Sequence, residues 1–228
     1  MTQKRYDNNV ILVYGDLHFP FHDKRAFDFL NDLNNAYRPD RVIDLGDTSD
    51  SYSFSRYPKS PEAMSTSEEI KKLRKGIKTL SSIFPKVDVM KSNHTDRLYS
   101  KSSIAGIPRE FIVSYKDLLG APADWKFHKD LTLTVDNTRE KIYFCHERGS
   151  NVLQLAKSLG MSAVMGHVHS QFGVQYFSNP LRTMFAAQCG CLVSDKGVAF
   201  EYNKANLFRP LKGALVIIDG VPELKRLV

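Results

Sequence analysis

The sequence predicts an α/β fold, and three observations predict it. Short unbroken apolar runs of β-formers recur along the chain, as at Val10-Ile11-Leu12-Val13-Tyr14, Arg41-Val42-Ile43 and Ser162-Ala163-Val164-Met165. Such runs read as strands buried on both faces of a parallel sheet. Segments with apolar residues at helical spacing lie between them. The runs end in a Gly followed by a carboxylate or an imidazole, which is where open α/β sheets place their sites.

The first run leads into Gly15-Asp16-Leu17-His18. In extended chain, side chains two residues apart point the same way. Asp16 and His18 therefore project together, and such a pair suits a divalent metal. Ala26, Phe29, Leu30 and Leu33 then mark an amphipathic helix that should end near Tyr37, ahead of Pro39. The second strand ends in Gly46-Asp47, and Asp47 follows Asp16 by 31 residues, one strand-helix-strand unit.

Residues 50–64 read as a loop. Within it Asp50, Tyr52 and Arg56 admit two readings, solvated loop residues or a phosphate-binding loop, with Arg56 suited to phosphate by its planar fork. Ser65 and Glu68 form a capping box for a long helix. Its stripe is Ile70, Leu73, Ile77, Leu80 and Ile83, and Pro85 stops it. Lys86-Val87-Asp88-Val89-Met90 is a third strand leading into Ser92-Asn93-His94-Thr95-Asp96.

Residues 97–127 are less legible. Pro108 is expected to open a helix carrying Phe111, Ile112, Tyr115, Leu118 and Leu119, ended by Gly120. Trp125 is expected to be a partly buried packing residue. Leu131, Leu133 and Val135 alternate with Thr132 and Thr134, and Lys141–His146 reads as the hairpin partner of that strand. Ser150 or Asn151 caps a helix with Val152, Leu155, Ala156 and Leu159 on one face, closed by Gly160. Gly166-His167-Val168-His169 then repeats the opening theme. The tail is β-rich, with strands over 172–176, 181–191 and 212–219 and a loop near 196–210.

At 228 residues, one domain over 1–228 is expected. A hydrophobic share of 42% with 25% charged residues is ordinary for a soluble globular protein. The net charge of +7 is compatible with a polyanionic partner, but the Lys and Arg are dispersed. The densest run, Lys71-Lys72-Leu73-Arg74-Lys75 with Lys78, reads as a solvated helix face before a phosphate-contacting patch. Cys145, Cys189 and Cys191 are too few for a disulfide framework and fit a reducing compartment. No signal peptide and no membrane span is read, so a cytoplasmic location is expected, with no membrane partner.

Five strand ends thus carry Asp16 and His18, Asp47, Asn93 and His94, His146, and His167 and His169, and five of the seven histidines fall in this set, with only His22 and His128 outside it. In order and spacing the set resembles the calcineurin-like metallophosphoesterase superfamily, with its D-x-H, GD, GNH[DE], H and GHxH signature. The tail looks like small members found in phage and prophage genomes, which would place the protein in a host cytoplasm. The resemblance implies two mixed sheets packed as a sandwich flanked by helices. It also implies two divalent metal ions. One would take Asp16, His18 and His169, the other Asn93, His146 and His167, and Asp47 would bridge them. The nitrogen and oxygen donors, with no thiolate, favour Mn, Fe or Zn over soft-metal chemistry. Mn is the ion expected, with Fe, Zn or Ni as alternatives. The implied function is hydrolysis of phosphomonoesters or phosphodiesters by a hydroxide bridging the metals, with His94 acting on the leaving oxygen. The alternatives are a metal-dependent nuclease acting on DNA or RNA, or a non-catalytic metal-bound binding module.

The sequence departs from the signature twice. Ser92 replaces the Gly, and Thr95 replaces the acid after His94. Either Asp96 takes over the orientation of His94 and meets substrate, or His94 is held less firmly. The oligomeric state is not legible.

Overall fold

The computed structural model describes residues 8–56, 59–195 and 208–228. The expected loop over 196–210 therefore lies mostly outside the described residues. Strands β1 (Val10–Tyr14), β2 (Arg41–Asp44), β3 (Asp88–Met90) and β4 (Lys126–His128) run parallel, joined by helices α1 (Ala26–Tyr37), α2 (Thr66–Ile83), α3 (Asn93–Ile104) and α4 (Tyr115–Leu119). Strands β5 (Leu131–Thr134) and β6 (Lys141–Cys145) form the expected hairpin, and α5 (Val152–Leu159) leads to β7 (Ser162–Met165). Then come β8 (Phe172–Asn179), β9 (Arg182–Cys189), β10 (Gly213–Ile218) and β11 (Val221–Arg226). The sheets are ordered β11-β10-β1-β2-β3-β4 and β5-β6-β7-β9-β8, and both are mixed.

The apolar run of β1 is buried on both sides because the two sheets need it twice. Ile11 and Val13 face the second sheet, with Ile43, Phe144, Val164 and Leu215. Leu12 and Tyr14 face α1 and α2, with Leu30, Leu73, Ile77 and Phe84. A smaller cluster of Ala156, Ala163 and Ala186 seats α5 on the outer face of the second sheet. The order is helix, sheet, sheet, helix. All strands that carry candidate ligands end at one rim, where the loops converge.

Local signals explain the helix ends. The Ser65 side chain accepts from the Glu68 amide at the start of α2, and Asn151 accepts from Gln154 at the start of α5. Gly160 closes α5 with φ 63°, a left-handed conformation that Gly adopts freely.

Four expectations change. The helix read from Pro108 is a 3-10 turn, Arg109–Phe111, followed by the five-residue α4 capped by Ser114. Phe111 is exposed, so it supplies no apolar stripe. The polar stretch after β3 is helix α3. Trp125 is fully buried, with its indole N–H donating to the Phe84 carbonyl at 3.0 Å. Strands β4 and β11 were not anticipated. Among the described residues, no helix is long and apolar enough to cross a membrane.

Candidate metal centre

The loops that follow β1 and β2 stay paired beyond the strands. The Asp16 amide donates to the Gly46 carbonyl at 2.9 Å, and the His18 amide donates to the Asp47 carbonyl at 2.8 Å. This holds Asp16, His18 and Asp47 in left-handed backbone, at φ 53°, 50° and 48°, and His167 joins them at 69°. Asp and His tolerate that region better than most residues, yet it costs roughly 1–2 kcal/mol each. Strain of this kind collects at functional sites. Two glycines let the loops close. A Cβ on Gly46 would stand 2.8 Å from the Met90 carbonyl oxygen, and one on Gly166 would stand 2.8 Å from Asp16 Oδ2.

All seven expected ligands meet at this rim. His169 Nε2 lies 3.0 Å from Asp16 Oδ1 and 3.2 Å from His18 Nε2. Beside this group, His146 Nε2 lies 2.9 Å from Asn93 Oδ1, 3.2 Å from His167 Nδ1 and 3.2 Å from Asp47 Oδ2. Asp47 Oδ2 is also 3.6 Å from His18 Nε2, so Asp47 stands between the groups. The donor atoms of Asp16, His18 and His169 lie within 4.8 Å of one another, as do those of Asp47, His146 and His167.

The donor set fits metal ions. Three rings use one nitrogen outward and turn the other inward. His18 Nδ1 meets Asp50 Oδ2 at 3.0 Å, His146 Nδ1 meets the Leu45 carbonyl at 3.0 Å, and His167 Nε2 meets Glu147 Oε2 at 3.2 Å. Such outer partners fix the tautomer of metal-binding histidines. A carbonyl only accepts, so His146 Nδ1 carries a proton. Its Nε2 then faces the Asn93 amide oxygen, an acceptor, as a second acceptor. A cation between them, a second proton on the ring, or a turn of the Asn93 amide that presents its NH2 resolves that conflict.

The same demand for positive charge shifts the titrating groups. Burial pushes Asp16 and Asp47 up, but contacts with the imidazoles outweigh it and hold both carboxyls below their usual range. Burial lowers His18 and His146, but Asp16 and Asp50 raise His18 to about 10, and Asp47 raises His146 to about 9. Among the described residues, the ion-pair partners of Asp16 and Asp47 are all imidazoles.

His94 sits at the start of α3 beside the cluster. Its amide donates to Asp47 Oδ1 at 3.3 Å, which places a carboxylate at a helix N-terminus. Its Nδ1 meets the Asp50 carbonyl at 2.6 Å, and Arg97 donates to its Nε2, also at 2.6 Å. Burial is the main cause that lowers His94, to about 4. Ser92 and Thr95 form a reciprocal capping box, each side chain accepting from the other's amide. The two departures from the signature thus cap α3 together.

Asp96 does not orient His94. It lines a separate cavity of about 430 Å³ with Lys91, Tyr99 and Arg109. Arg56 is exposed just past the 3-10 turn Tyr52–Phe54. Asp50, read first as a loop residue, is buried and touches both His18 and Arg97. Sequence reading passed over Arg97 and Glu147 as site residues. The signals available were their places, one helical turn after His94 and directly after His146.

The class that fold and site define is an α/β two-sheet protein with a buried cluster of carboxylates and imidazoles at one rim, suited to divalent metals. No family model matches the chain, and no curated protein matches it. Among solved structures, vacuolar protein sorting 29 from Cryptosporidium parvum matches 97% of this chain and 97% of its own at 14% identity and TM-score 0.45. Yfce, a phosphoesterase from E. coli, matches over 91% of this chain and 87% of its own at 12% identity and TM-score 0.44. Vps29 from Chaetomium thermophilum matches over 91% and 81% at 12% identity and TM-score 0.41. All three likenesses are distant.

Proposed function

We propose that this chain is a metal-dependent phosphoesterase. The observation that carries the reading is the meeting of Asp16, His18, Asp47, Asn93, His146, His167 and His169 at one buried rim, with their donor atoms grouped at metal-binding distances. The similarity of their motifs to the calcineurin-like metallophosphoesterases supports it. Asp16, His18 and His169 would hold one divalent ion, Asn93, His146 and His167 a second, and Asp47 would be shared, with Mn the first metal to try. Ions held there would polarise a phosphoryl group and lower the pKa of a bound water to about 7, so that hydroxide is available near neutral pH.

The chain's own groups do the rest. The Asp50 carbonyl fixes the proton of His94 on Nδ1, so His94 Nε2 is an acceptor in this arrangement. Arg97 fills it and also donates to the Asp50 carbonyl at 2.8 Å. A guanidinium has five N–H groups, which leaves donors for phosphoryl oxygens. Arg97 is therefore the donor that meets the phosphate, and His94 holds it at the rim. For His94 to protonate a leaving oxygen, Arg97 must first leave Nε2 and that nitrogen must take up a proton from water.

The nuclease version rests on charge alone. Lys71, Lys72, Lys75 and Lys78 are exposed on α2, and Lys72 pairs with Glu68 at 2.8 Å, as on a solvated face.

The test is hydrolysis of an aryl phosphomonoester and an aryl phosphodiester in parallel by Mn-loaded protein, with Asp47→Asn as the blank. Turnover that vanishes in the blank supports the reading. No turnover of either ester with metal bound overturns it and leaves the non-catalytic binding module. Diester preference sends DNA and RNA into the next assay at low salt.

A further inference from the structure

A cavity of about 550 Å³ lies on the outer face of the second sheet, beside the metal centre. Its floor is the β8–β9 pair. Gly173 stands directly opposite Gln188, and Gln175 opposite Ala186. Opposed residues share a face. Ala186 packs under α5, so all four face the helix side. Residues 150–153, at the start of α5, form the wall. Ser170 and Gln171, which directly follow His169, close the side toward the metal centre.

Gln188 is 3% exposed and donates through Nε2 to the Gly166 carbonyl, while its Oε1 is buried with no hydrogen-bond partner. Buried acceptors are rarely left so. Beside it, a Cβ on Gly173 would have nothing within 4 Å, so the cavity is open at Gly173, next to the buried Gln188 amide. The wall supplies donors. Asn151 takes the Gln154 amide, whereas the amides of Val152 and Leu153 precede the first helical hydrogen bond.

We propose that this cavity seats the alcohol side of the substrate and that the group is a nucleoside base, a proposal that rests on the phosphoesterase reading above. The volume lies in the range of small-molecule sites, roughly 300–1,000 Å³, and far exceeds what a phosphate needs. Leu153 and Leu211 give it apolar walls for a flat ring, while the side chains of Phe172 and Val174 alternate to the other face of the sheet and only their backbone borders the cavity. A base edge presents an N–H to Gln188 Oε1 and a carbonyl or ring nitrogen to the amides that open α5. The Gln188–Gly166 bond fixes the cavity to the loop carrying His167, so an occupant lies against that loop.

The experiment uses metal-free protein titrated with adenosine, guanosine, cytidine or uridine, each alone, and followed by amide chemical shifts. At least one nucleoside is expected to bind at roughly millimolar concentration or below, with shifts at residues 150–153, at Gly173 and at the Gln188 side-chain amide. Gly173→Leu fills the space beside Gln188 and is expected to weaken binding by about tenfold or more, with Gly173→Ala intermediate. The unfolding midpoint checks that both variants fold. No binding by any nucleoside, or binding that Gly173→Leu leaves unchanged, overturns the proposal. Aryl phosphoester turnover by the wild type is measured apart. Nucleoside binding without turnover keeps the base site and removes the phosphoesterase reading, and turnover without nucleoside binding does the reverse.

Discussion

Arg97 donates to Nε2 of His94 across 2.6 Å, from one helical turn further along α3. Residues three apart share a helix face, so α3 presents the ring and the guanidinium together. The contact makes Arg97, more than His94, the group poised to donate at the rim.

Arg97→Ala is therefore expected to lower kcat/KM for an aryl phosphoester by roughly 10²–10³, the loss typical of one transition-state donor. Arg97→Lys should recover only part, because an ammonium cannot make the forked contact. Steady-state kinetics decide it. An Arg97→Ala rate close to wild type would sink the assignment.

The grouped donor atoms of Asp16, His18 and His169, and of Asp47, His146 and His167, predict that divalent metal stabilises the fold. At one hundred times its Kd, a ligand contributes about 2.7 kcal/mol. For a chain of this size that is roughly 5–10 °C in Tm. Thermal melts with Mn and then with excess chelator should rise and fall accordingly. Indifference to both would mean that the cluster holds no ion.

Gly166 touches the site through space. A Cβ there would stand 2.8 Å from Asp16 Oδ2 and 3.3 Å from Leu45 Cβ, so the carboxylate must shift. Gly166→Ala is expected to weaken Mn binding by about 10–100-fold, as changes beside a ligand do. Calorimetric titration of the variant, with circular dichroism to check folding, reads this directly.

Away from the site, Asp23 accepts from Arg25 and from Lys212 Nζ at 2.8 Å, tying the start of α1 to the chain before β10. The Arg25 contact, then Lys212, holds the Asp23 carboxyl well below its usual range. A carboxyl depressed in the folded state contributes stability above its unfolded pKa, near 3.9, and loses it as pH falls through the folded value. Asp23→Asn should cost about 1–3 kcal/mol at pH 7. The gap from wild type should shrink well below pH 4. Urea midpoints at the two pH values test this, and a gap that widens in acid would refute it.

The capping box at α3 gives a graded outcome. Ser92→Ala should destabilise by about 1 kcal/mol, whereas Ser92→Gly should cost only a few tenths. Equal losses in urea melts would show that the Ser92 hydroxyl does not cap the helix.

Much of the fold was legible because β1, β2 and β7 are unbroken apolar runs, and α2 and α5 carry both stripes and caps. The misses have local causes. Helix α3 buries only His94, Thr95 and Ser102, so it shows no apolar stripe. Strand β4 is three residues long and exists by pairing with β3. Phe111 looked like helix interior, but the chain turns it outward, while Ile112 lines the cavity beside Asp96.

By itself the sequence determined the donors and their places: Asp16, His18, Asp47, Asn93, His146, His167 and His169 each follow a strand. Identity and local periodicity are properties of short segments, and short segments are what a sequence displays. Tertiary structure decided which nitrogen of each ring turns inward, that Asp50 rather than Asp96 braces the rim, and that Arg97 meets His94. Those choices depend on partners brought in from afar. Asp50 reaches His18 from 32 residues away, and the Leu45 carbonyl fixes the tautomer of His146 from 101 residues away. No local pattern encodes a hydrogen bond whose partner only the packing of two sheets supplies.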